Sequence, residues 1–245
     1  VSIINNGYKE IILTGVNVGE FKDPEGNNFY SALKEIVSTE GDFRLRISSI
    51  EPNLVSEKII ELIAVSDKIC KHLHIPLQSG SNKILSLMKR RYRREVFEKL
   101  ILTLDKIVPD IGLGIDVIAG FPGESEADFL DTYNFIKDLP ISYLHAFTYS
   151  ERENTPAAGF DGSVSLEERR RRTNMLRILG EKKKEAFHNK LIGTEAIVLF
   201  EQSERQGLIK GFTSNYVRVG VPFSNELINE FTKVTLLSHS DNLFS

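Results

Sequence analysis

Polar and glycine residues follow each of five apolar segments of the chain, where they could bind a small polar ligand. In chain order they are Thr14, Gly15 and Asn17; Ser48, Ser49 and Glu51; Gln78, Ser79, Gly80 and Ser81; Gly120 and Gly123; and Tyr149, Ser150, Glu151 and Arg152. Their side chains can donate and accept hydrogen bonds, and glycine lets the backbone approach a ligand closely. Asp116 lies within the fourth apolar segment. The glycines do not form GxGxxG, which argues against a dinucleotide-binding site. Polar residues after all five segments favour a polar, nucleotide-like small molecule.

The histidines suggest a different chemistry. His72 and His74 share one face of a predicted strand, and with His145 and Asp116 they could form the metal site of a hydrolase barrel. However, His72 and His74 lie at the start of their strand, whereas metal ligands in such barrels lie at the C-terminal ends of the strands. We therefore expect hydrogen-bonded or core histidines here, and no metal site. The metal hydrolase stays an alternative.

Two groups of basic residues could bind anions. The run Lys89–Arg94 follows the loop that begins at Gln78, and few acidic residues lie near it in the sequence. Such runs are usually a solvated helix face, but this position makes Arg91 a candidate for contact with an anionic ligand.

The second group lies near the end of the chain, where Lys210, Phe212, Tyr216 and Arg218 combine cations with aromatic rings. This combination is typical of proteins that bind single-stranded RNA. An ordinary half-buried β-domain is the alternative.

The elements that position these residues alternate between strands and helices. The predicted strands are Glu10–Leu13, Phe43–Ile47, His72–Leu77, Leu113–Ala119 and Ser142–Thr148. The predicted helices are Phe29–Ser38, Leu54–Ala64, Val96–Val108 and Glu124–Leu139, the last with a capping-box pattern at Ser125 and Asp128. Their spacing is close to the roughly 31 residues of each βα unit in a (β/α)8 barrel. We therefore predict an α/β fold with a partial, TIM-like barrel of about five parallel strands and outer helices.

The alternation ends after Thr148. A capping box at Ser165 opens a long charged helix to about Leu191. Four strands without intervening helices follow, at Thr194–Phe200, Gly207–Phe212, Tyr216–Val221 and Phe231–Leu237. They predict a small antiparallel, OB-like β-barrel. The predicted domains are therefore residues 1–192 and 193–245.

Composition limits location and redox chemistry. The 245 residues carry a net charge of −3 and a single cysteine, Cys70, which excludes an internal disulfide or a cysteine cluster from this chain alone. We find no apolar run long enough for a membrane span and expect a cytoplasmic protein with no membrane partner. The first residue is Val1, which favours a piece cut from a longer protein. His188 and His239 are expected at the surface.

Several segments resemble the radical S-adenosylmethionine methylthiotransferases. They are LTGVNVGEF, RISSIEP, HLHIPLQSGSNKILSLMKRRY, IDVIAGFPGESEADFLDT and HAFTYSERENTPAA. The segments GTEAIVLFE and GFTSNYVRVGVP resemble the C-terminal RNA-binding TRAM domain of that family. The likeness is strongest to the branch that acts on threonylcarbamoyladenosine in tRNA, with the isopentenyladenosine branch as an alternative.

The resemblance implies a reaction and its cofactors. A [4Fe–4S] cluster would cleave S-adenosylmethionine to a 5′-deoxyadenosyl radical. That radical would abstract hydrogen from C2 of the modified adenine beside the anticodon, and a methylthio group from a second [4Fe–4S] cluster would be inserted there. The partners implied are tRNA and S-adenosylmethionine; the sequence gives no oligomeric state.

The same resemblance exposes a gap. The family holds one cluster with CxxxCxxC and the other with three cysteines of an N-terminal domain, and this chain contains neither set. The chain therefore resembles a fragment without the N-terminal domain and the cluster loop, and we expect it to be inactive alone. A non-catalytic RNA-binding protein is the alternative.

The resemblance also implies roles for individual residues that bind S-adenosylmethionine. Gly15 and Asn17 match the segment near the methionyl group, and Arg91 is a candidate for the methionyl carboxylate. Ser49 and Glu51 match the next loop. Gln78 and Ser79 match the segment near the ribose, and Asp116, Ile118 and Gly120 match the strand along the adenine.

Overall fold

The computed structural model describes residues 2–15, 17–153, 155–205, 207–240 and 243–245. Its first part contains five strands: β1 (Glu10–Leu13), β2 (Arg44–Ile47), β3 (His72–His74), β4 (Gly112–Ala119) and β5 (Tyr143–Thr148). Before, between and after them, the described residues form seven α-helices: α1 (Ser2–Asn5), α2 (Phe29–Ser38), α3 (Glu57–Val65), α4 (Asn82–Leu87), α5 (Arg94–Ile107), α6 (Glu126–Asp138) and α7 (Leu166–Leu191). The predicted strand–helix alternation is confirmed.

The five strands lie side by side in chain order and run in parallel. β1 pairs with β2, and β3, β4 and β5 form a second parallel group. Backbone hydrogen bonds join the two groups: Cys70 N–H donates to Leu45 O (2.8 Å) and Ile50 N–H to His74 O (3.1 Å). The helices cover one face, where fully buried residues such as Leu73, Ile115 and Phe97 form a continuous apolar core. The predicted partial barrel is confirmed.

Two boundaries differ from the sequence prediction for backbone reasons. β3 ends at His74 rather than Leu77, because Pro76 has no N–H to donate and Gln78 adopts a left-handed conformation (φ 67°). α3 begins at Glu57 rather than Leu54, because Pro52 starts a short 3-10 turn before it.

The second part of the chain is a six-stranded sheet with its own core. Its strands are β6 (Glu195–Arg205), β7 (Leu208–Thr213), β8 (Arg218–Pro222), β9 (Phe231–Thr235), β10 (His239–Ser240) and β11 (Leu243–Phe244). Their order is β10-β11-β8-β7-β6-β9, and all neighbours are antiparallel except β11 and β8. Val198, Ile209 and Phe244 form the core together with Leu191 from the end of α7. The boundary at residue 193 stays a prediction.

The six-stranded sheet, β6 to β11, which we call the β-domain, lies against the N-terminal ends of β2, β3 and β4. Arg46 donates hydrogen bonds to the carbonyl oxygens of Thr213 and Ser214 (both 3.1 Å) and to the carboxylate of Glu10 (2.9 Å). Burial would raise the pKa of Glu10, but hydrogen bonds and charge from Arg46, together with the charge of Arg44, hold it below its usual range. This interface therefore pairs the charges that it buries.

The end of the interface depends on a glycine. A Cβ at Gly112 would lie 2.2 Å from the carbonyl oxygen of Asn215, so only glycine allows the β-domain loop to approach β4 this closely. No helix in the described ranges combines the length and apolarity that crossing a bilayer would require.

Candidate functional site

The C-terminal ends of the strands meet at one edge of the parallel sheet, which we call the rim. Gln78 connects two of these ends, because its N–H donates to Asp116 O (2.7 Å) and its carbonyl accepts from Ile118 N–H (3.0 Å). Asp116 and Ile118 lie two residues apart on β4 and therefore share one face, the face turned away from the helices. The structure therefore brings together Gln78, Asp116 and Ile118, as the sequence predicts.

The side chain of Asp116 lies on the face of the sheet away from the helices, next to His74 of the neighbouring strand. Its Oδ2 lies 3.0 Å from Nε2 of His74, and the hydroxyl of Tyr143 lies 3.3 Å from Nδ1 of the same ring. Tyr143 also lies 2.9 Å from Nε2 of His72. The histidines are thus hydrogen-bonded, and burial and the charge of Arg46 keep the pKa of His72 well below its ordinary value.

No group of three potential metal ligands occurs among the residues that the structure describes. The contacts of His72 and His74 with Tyr143 and Asp116 are those of hydrogen-bonded histidines.

Two small cavities flank Ile118 at the rim. One, of about 220 Å³, is lined by residues including Arg90, Ile118 and Phe121. The other, of about 300 Å³, has Ile118, Tyr149 and Thr155 in its wall. The hydroxyl of Tyr149 is shielded from solvent and has no hydrogen-bond partner. A buried hydroxyl without a partner is unfavourable, so this group is available to a ligand.

Arg90, rather than the predicted Arg91, faces the rim. Its Nη1 lies 3.4 Å from Oε1 of Glu51, and its buried Nε has no partner. Arg91 is exposed and pairs with Glu20. The left-handed Lys89 (φ 53°) ends the helical run and decides which arginine turns inward. The basic run itself was the signal, but its phase could not be read from the sequence.

The loop after β1 contributes a third buried polar atom. Oδ1 of Asn17 is shielded from solvent without a hydrogen-bond partner. Gly15 lies just before it, and a Cβ there would come within 3.2 Å of Val18. Ser49 and Glu51 follow β2 and are half-buried. These four residues occupy the part of the rim where the sequence places them.

Ser79 does not face the rim. It is fully buried, its hydroxyl lies 3.1 Å from that of Thr132 on α6, and its Oγ accepts the Ser81 N–H (3.1 Å). Its role in this structure is to hold the loop against α6.

Gly120 begins a turn that α7 holds in place. The residue has φ +79°, and its N–H donates to the buried carboxylate of Glu124. Arg172 donates to the same carboxylate (3.0 Å), and a Cβ at Gly120 would lie 2.3 Å from Cγ of Arg169. Burial raises the pKa of Glu124, an effect opposed by these hydrogen bonds. Two buried arginines of α7 therefore fix the end of β4.

The only cysteine is unsuited to an iron–sulfur cluster. Cys70 is buried near the N-terminal end of β3, away from the rim, and burial raises the pKa of its thiol to about 11. Cluster ligation needs several thiolates, so the described residues do not fit a [4Fe–4S] cluster.

His188 corrects a second expectation, because it is buried rather than on the surface.

The four residues predicted to bind RNA lie around a cavity between the two domains. Tyr216 stacks on His72 (ring centroids 4.6 Å apart) and on Phe212 (4.9 Å), and the Arg218 guanidinium lies over Phe212 (5.7 Å). Lys210 lines the same cavity. Tyr216 therefore contacts His72 of the parallel sheet and Phe212 of its own sheet.

A profile of the Radical SAM superfamily matches residues 2–136, and the chain belongs to that superfamily. Members use S-adenosylmethionine with a [4Fe–4S] cluster. The fold agrees: coproporphyrinogen III oxidase (HemN) from Escherichia coli superposes with a TM-score of 0.51 at 15% identity, over 74% of this chain and 40% of that one. The methyltransferase TsrM from Kitasatospora setae gives 0.52 at 17% identity, over 64% and 31%. At these identities the likeness concerns the fold alone.

Curated relatives are closer in sequence. The threonylcarbamoyladenosine tRNA methylthiotransferase MtaB of Bacillus subtilis is 38% identical over 241 residues, covering 96% of this chain and 53% of that protein. The MtaB of Thermotoga maritima is 34% identical over 239 residues, covering 98% and 55%. The tRNA-2-methylthio-N(6)-dimethylallyladenosine synthase of Clostridium botulinum is 35% identical over 241 residues, covering 96% and 53%. The chain spans about half the length of the curated relatives it matches.

Proposed function

We propose that this chain is the barrel and TRAM part of a cytoplasmic tRNA methylthiotransferase. Its reaction would add a methylthio group to C2 of N6-threonylcarbamoyladenosine beside the anticodon. The observation that carries the proposal is the rim of a radical SAM chain, where buried polar atoms without partners border two cavities. The 38% identity to an MtaB protein over nearly the whole chain supports the substrate.

The rim would bind S-adenosylmethionine through one cation, one neutral hydrogen-bond acceptor and one apolar side chain. Arg90 would hold the methionyl carboxylate, since its Nε is buried without an acceptor. Asn17 would accept from the methionyl ammonium through its unpartnered Oδ1. Ile118 would lie against the adenine, between the two cavities. When bound, S-adenosylmethionine supplies the adenosyl group, and the chain's task is to hold and orient it.

Gln78 and Asp116 would shape this site rather than hold the charged end of the ligand. The backbone of Gln78 bridges to β4 on both sides, which fixes the strand end that carries Ile118. Asp116 is engaged by His74 and keeps part of its surface open. The roles of Gly15, Ser49, Glu51 and Gly120 remain as the resemblance implies, in the loops around the ligand.

The iron–sulfur part of the reaction lies outside what these residues can provide. The described residues hold one cysteine, buried away from the rim, so cluster ligands would have to come from elsewhere. The proposal therefore assigns to this chain the S-adenosylmethionine seat and the tRNA contact, and no step of the radical chemistry.

A second candidate is the branch that modifies dimethylallyladenosine. The Clostridium botulinum synthase matches this chain at 35% identity over the same share of the chain, close to the value for MtaB. The two candidates share the reaction and the cofactors and differ in the modified base.

A chimera tests both candidates. This chain would replace the matching half of the Bacillus subtilis MtaB protein, in cells that lack both that protein and any synthase that methylthiolates dimethylallyladenosine. We expect mass spectrometry of tRNA nucleosides to show 2-methylthio-threonylcarbamoyladenosine. The same cells carrying the relative without its matching half are the negative control. Methylthiolation of dimethylallyladenosine alone would favour the second candidate, and a folded chimera that modifies neither base would contradict the proposal.

A further inference from the structure

A further cavity lies between the parallel sheet and the six-stranded sheet, away from the rim. It has a volume of about 600 Å³, and its walls come from β5, the second half of α7, and strands β7 and β8. We call it the seam cavity. It is of the size that small-molecule sites in proteins usually have, and too large for a simple anion.

Three cations line the seam cavity without an ionic partner. They are Lys184 on α7, Lys210 on β7 and Arg218 on β8, and none has a salt bridge or side-chain hydrogen bond to another described residue. Nε of Arg218 is shielded from solvent without an acceptor. Among the described residues of the wall, Glu181 is the only acid, although the chain as a whole carries a net charge of −3. The cavity is therefore complementary to an anion.

The wall also presents flat groups. Tyr216 and Phe212 line the cavity and stack on each other, and the guanidinium of Arg218 lies over Phe212. Behind the wall, Tyr216 also stacks on His72. A guanidinium plane is a surface on which nucleobases stack in RNA recognition. A ligand that joins an anionic group to a planar ring matches this combination better than an extended acidic peptide does.

We propose that the seam cavity binds one nucleotide, with its phosphate near Lys184 and Lys210 and its base against Arg218. This inference deepens the proposed function and rests on it for the source of the nucleotide, a single-stranded stretch of the tRNA. The barrel domain contributes Lys184 and the wall at His145, so RNA recognition is shared between both domains rather than confined to the β-domain.

The test uses a short fluorescein-labelled single-stranded RNA and fluorescence anisotropy over a range of salt concentrations. Lys184→Gln and Lys210→Gln should each weaken binding about fivefold near 0.1 M salt. Each should also lower the slope of log affinity against log salt by about 0.7, the value for one lost phosphate contact on single strands. Arg218→Lys keeps the charge and removes the flat surface, so it should keep the slope and still lose affinity.

Two matched controls lie on the same helix. Lys182 and Arg177 are exposed residues of α7 outside the seam cavity. Lys182→Gln and Arg177→Gln remove the same charge, and we expect them to change affinity less than about twofold and to leave the slope unchanged. If they match the cavity variants, binding follows overall charge and the inference is wrong, while the proposed tRNA function stands.

A competition arm identifies the source of the nucleotide. Adenosine monophosphate should displace the RNA, whereas inorganic phosphate at equal concentration should not. If the chain binds adenosine monophosphate in a cavity-dependent way but does not bind RNA, the cavity inference stands for a free nucleotide and the proposed tRNA function loses support. Equal displacement by phosphate, binding of an acidic peptide instead, or no binding of either nucleotide form would overturn the inference.

Discussion

The Arg46 network at the N-terminal ends of the parallel strands and the rim at their C-terminal ends are built in opposite ways. At the N-terminal ends, the buried charge of Arg46 is shared between Glu10 and two carbonyl groups of the β-domain. At the rim, Asn17, Arg90 and Tyr149 each keep a buried polar atom without a partner. Polar groups that are fully paired stabilise the fold, whereas unpaired ones lower stability and remain available for a ligand. The Arg46 network therefore attaches the β-domain, whereas the rim keeps polar groups available for a ligand.

The largest expected effect comes from breaking the paired end. Arg46→Met leaves Glu10 buried without its main partner, and we expect a loss of about 3–5 kcal/mol in the free energy of unfolding. Urea unfolding followed by circular dichroism measures it. Arg177→Met, on an exposed face of α7, is the control and should cost less than about 0.5 kcal/mol. A loss below about 1 kcal/mol for Arg46→Met would show that the interface does not depend on this charge.

Acid should weaken the same side of the molecule. His188 lies between Phe244 and His239 (ring centroids 5.1 Å each), and burial, with nearby His239 and Lys184, lowers its pKa to about 4. An unfolded histidine titrates near 6.5, so the unfolded chain binds more protons between these values. Stability is therefore complete above about pH 6.5 and falls as the pH drops toward 4, by at most about 3 kcal/mol.

A variant isolates this contribution. His188→Phe removes the titrating group, so the difference in urea midpoint between pH 7 and pH 4.5 should be smaller than in the wild type. An unchanged difference would mean that His188 is not the group responsible.

A smaller effect is expected from crowding the close approach between domains. The Cβ of Gly112→Ala would meet the carbonyl oxygen of Asn215, and forcing this loop away from β4 should cost about 1–3 kcal/mol. Gly159→Ala is the matched control, because no atom lies within 4 Å of its Cβ position. Similar melting temperatures for the two variants would count against a tight interface.

The rim should respond in ligand affinity rather than in stability. In the chimera described above, Arg90→Gln should weaken S-adenosylmethionine binding about tenfold, the scale of one hydrogen bond to a charged group. Arg91→Gln should leave affinity within about twofold, since Arg91 pairs with Glu20 instead. Calorimetry gives the affinities, and equal losses for both variants would remove Arg90 from the site.

Much of the fold could be predicted from the sequence, because apolar periodicity reports burial directly. All five parallel strands and the capping box at Ser125 and Asp128 follow from local pattern. The length of β3 could not be predicted, because it depends on the left-handed backbone of Gln78. β10 and β11 were missed, since two-residue strands carry too little pattern to recognise.

The candidate site was predictable by segment but not by side chain. The loops that contain Asn17, Glu51 and Gln78 do reach the rim. Ser79 turned inward and Arg90 replaced Arg91, because a one-residue change of phase decides which side chain faces a helix and which faces the ligand. The partners of Tyr216 come from distant segments of the chain, which local pattern does not reveal.

One helix connects both ends of the comparison. α7 has 26 residues, which corresponds to about 39 Å, and its first turns hold the end of β4 while Leu191 is anchored in the β-domain core. The length of this helix therefore sets both the distance and the rotation between its two attachment points. One residue added in its middle would advance the β-domain by about 1.5 Å and rotate it by about 100°. An insertion within this helix would keep the orientation of the β-domain only if it added nearly whole turns, whereas an insertion in the loop before the helix would not rotate the β-domain in this way.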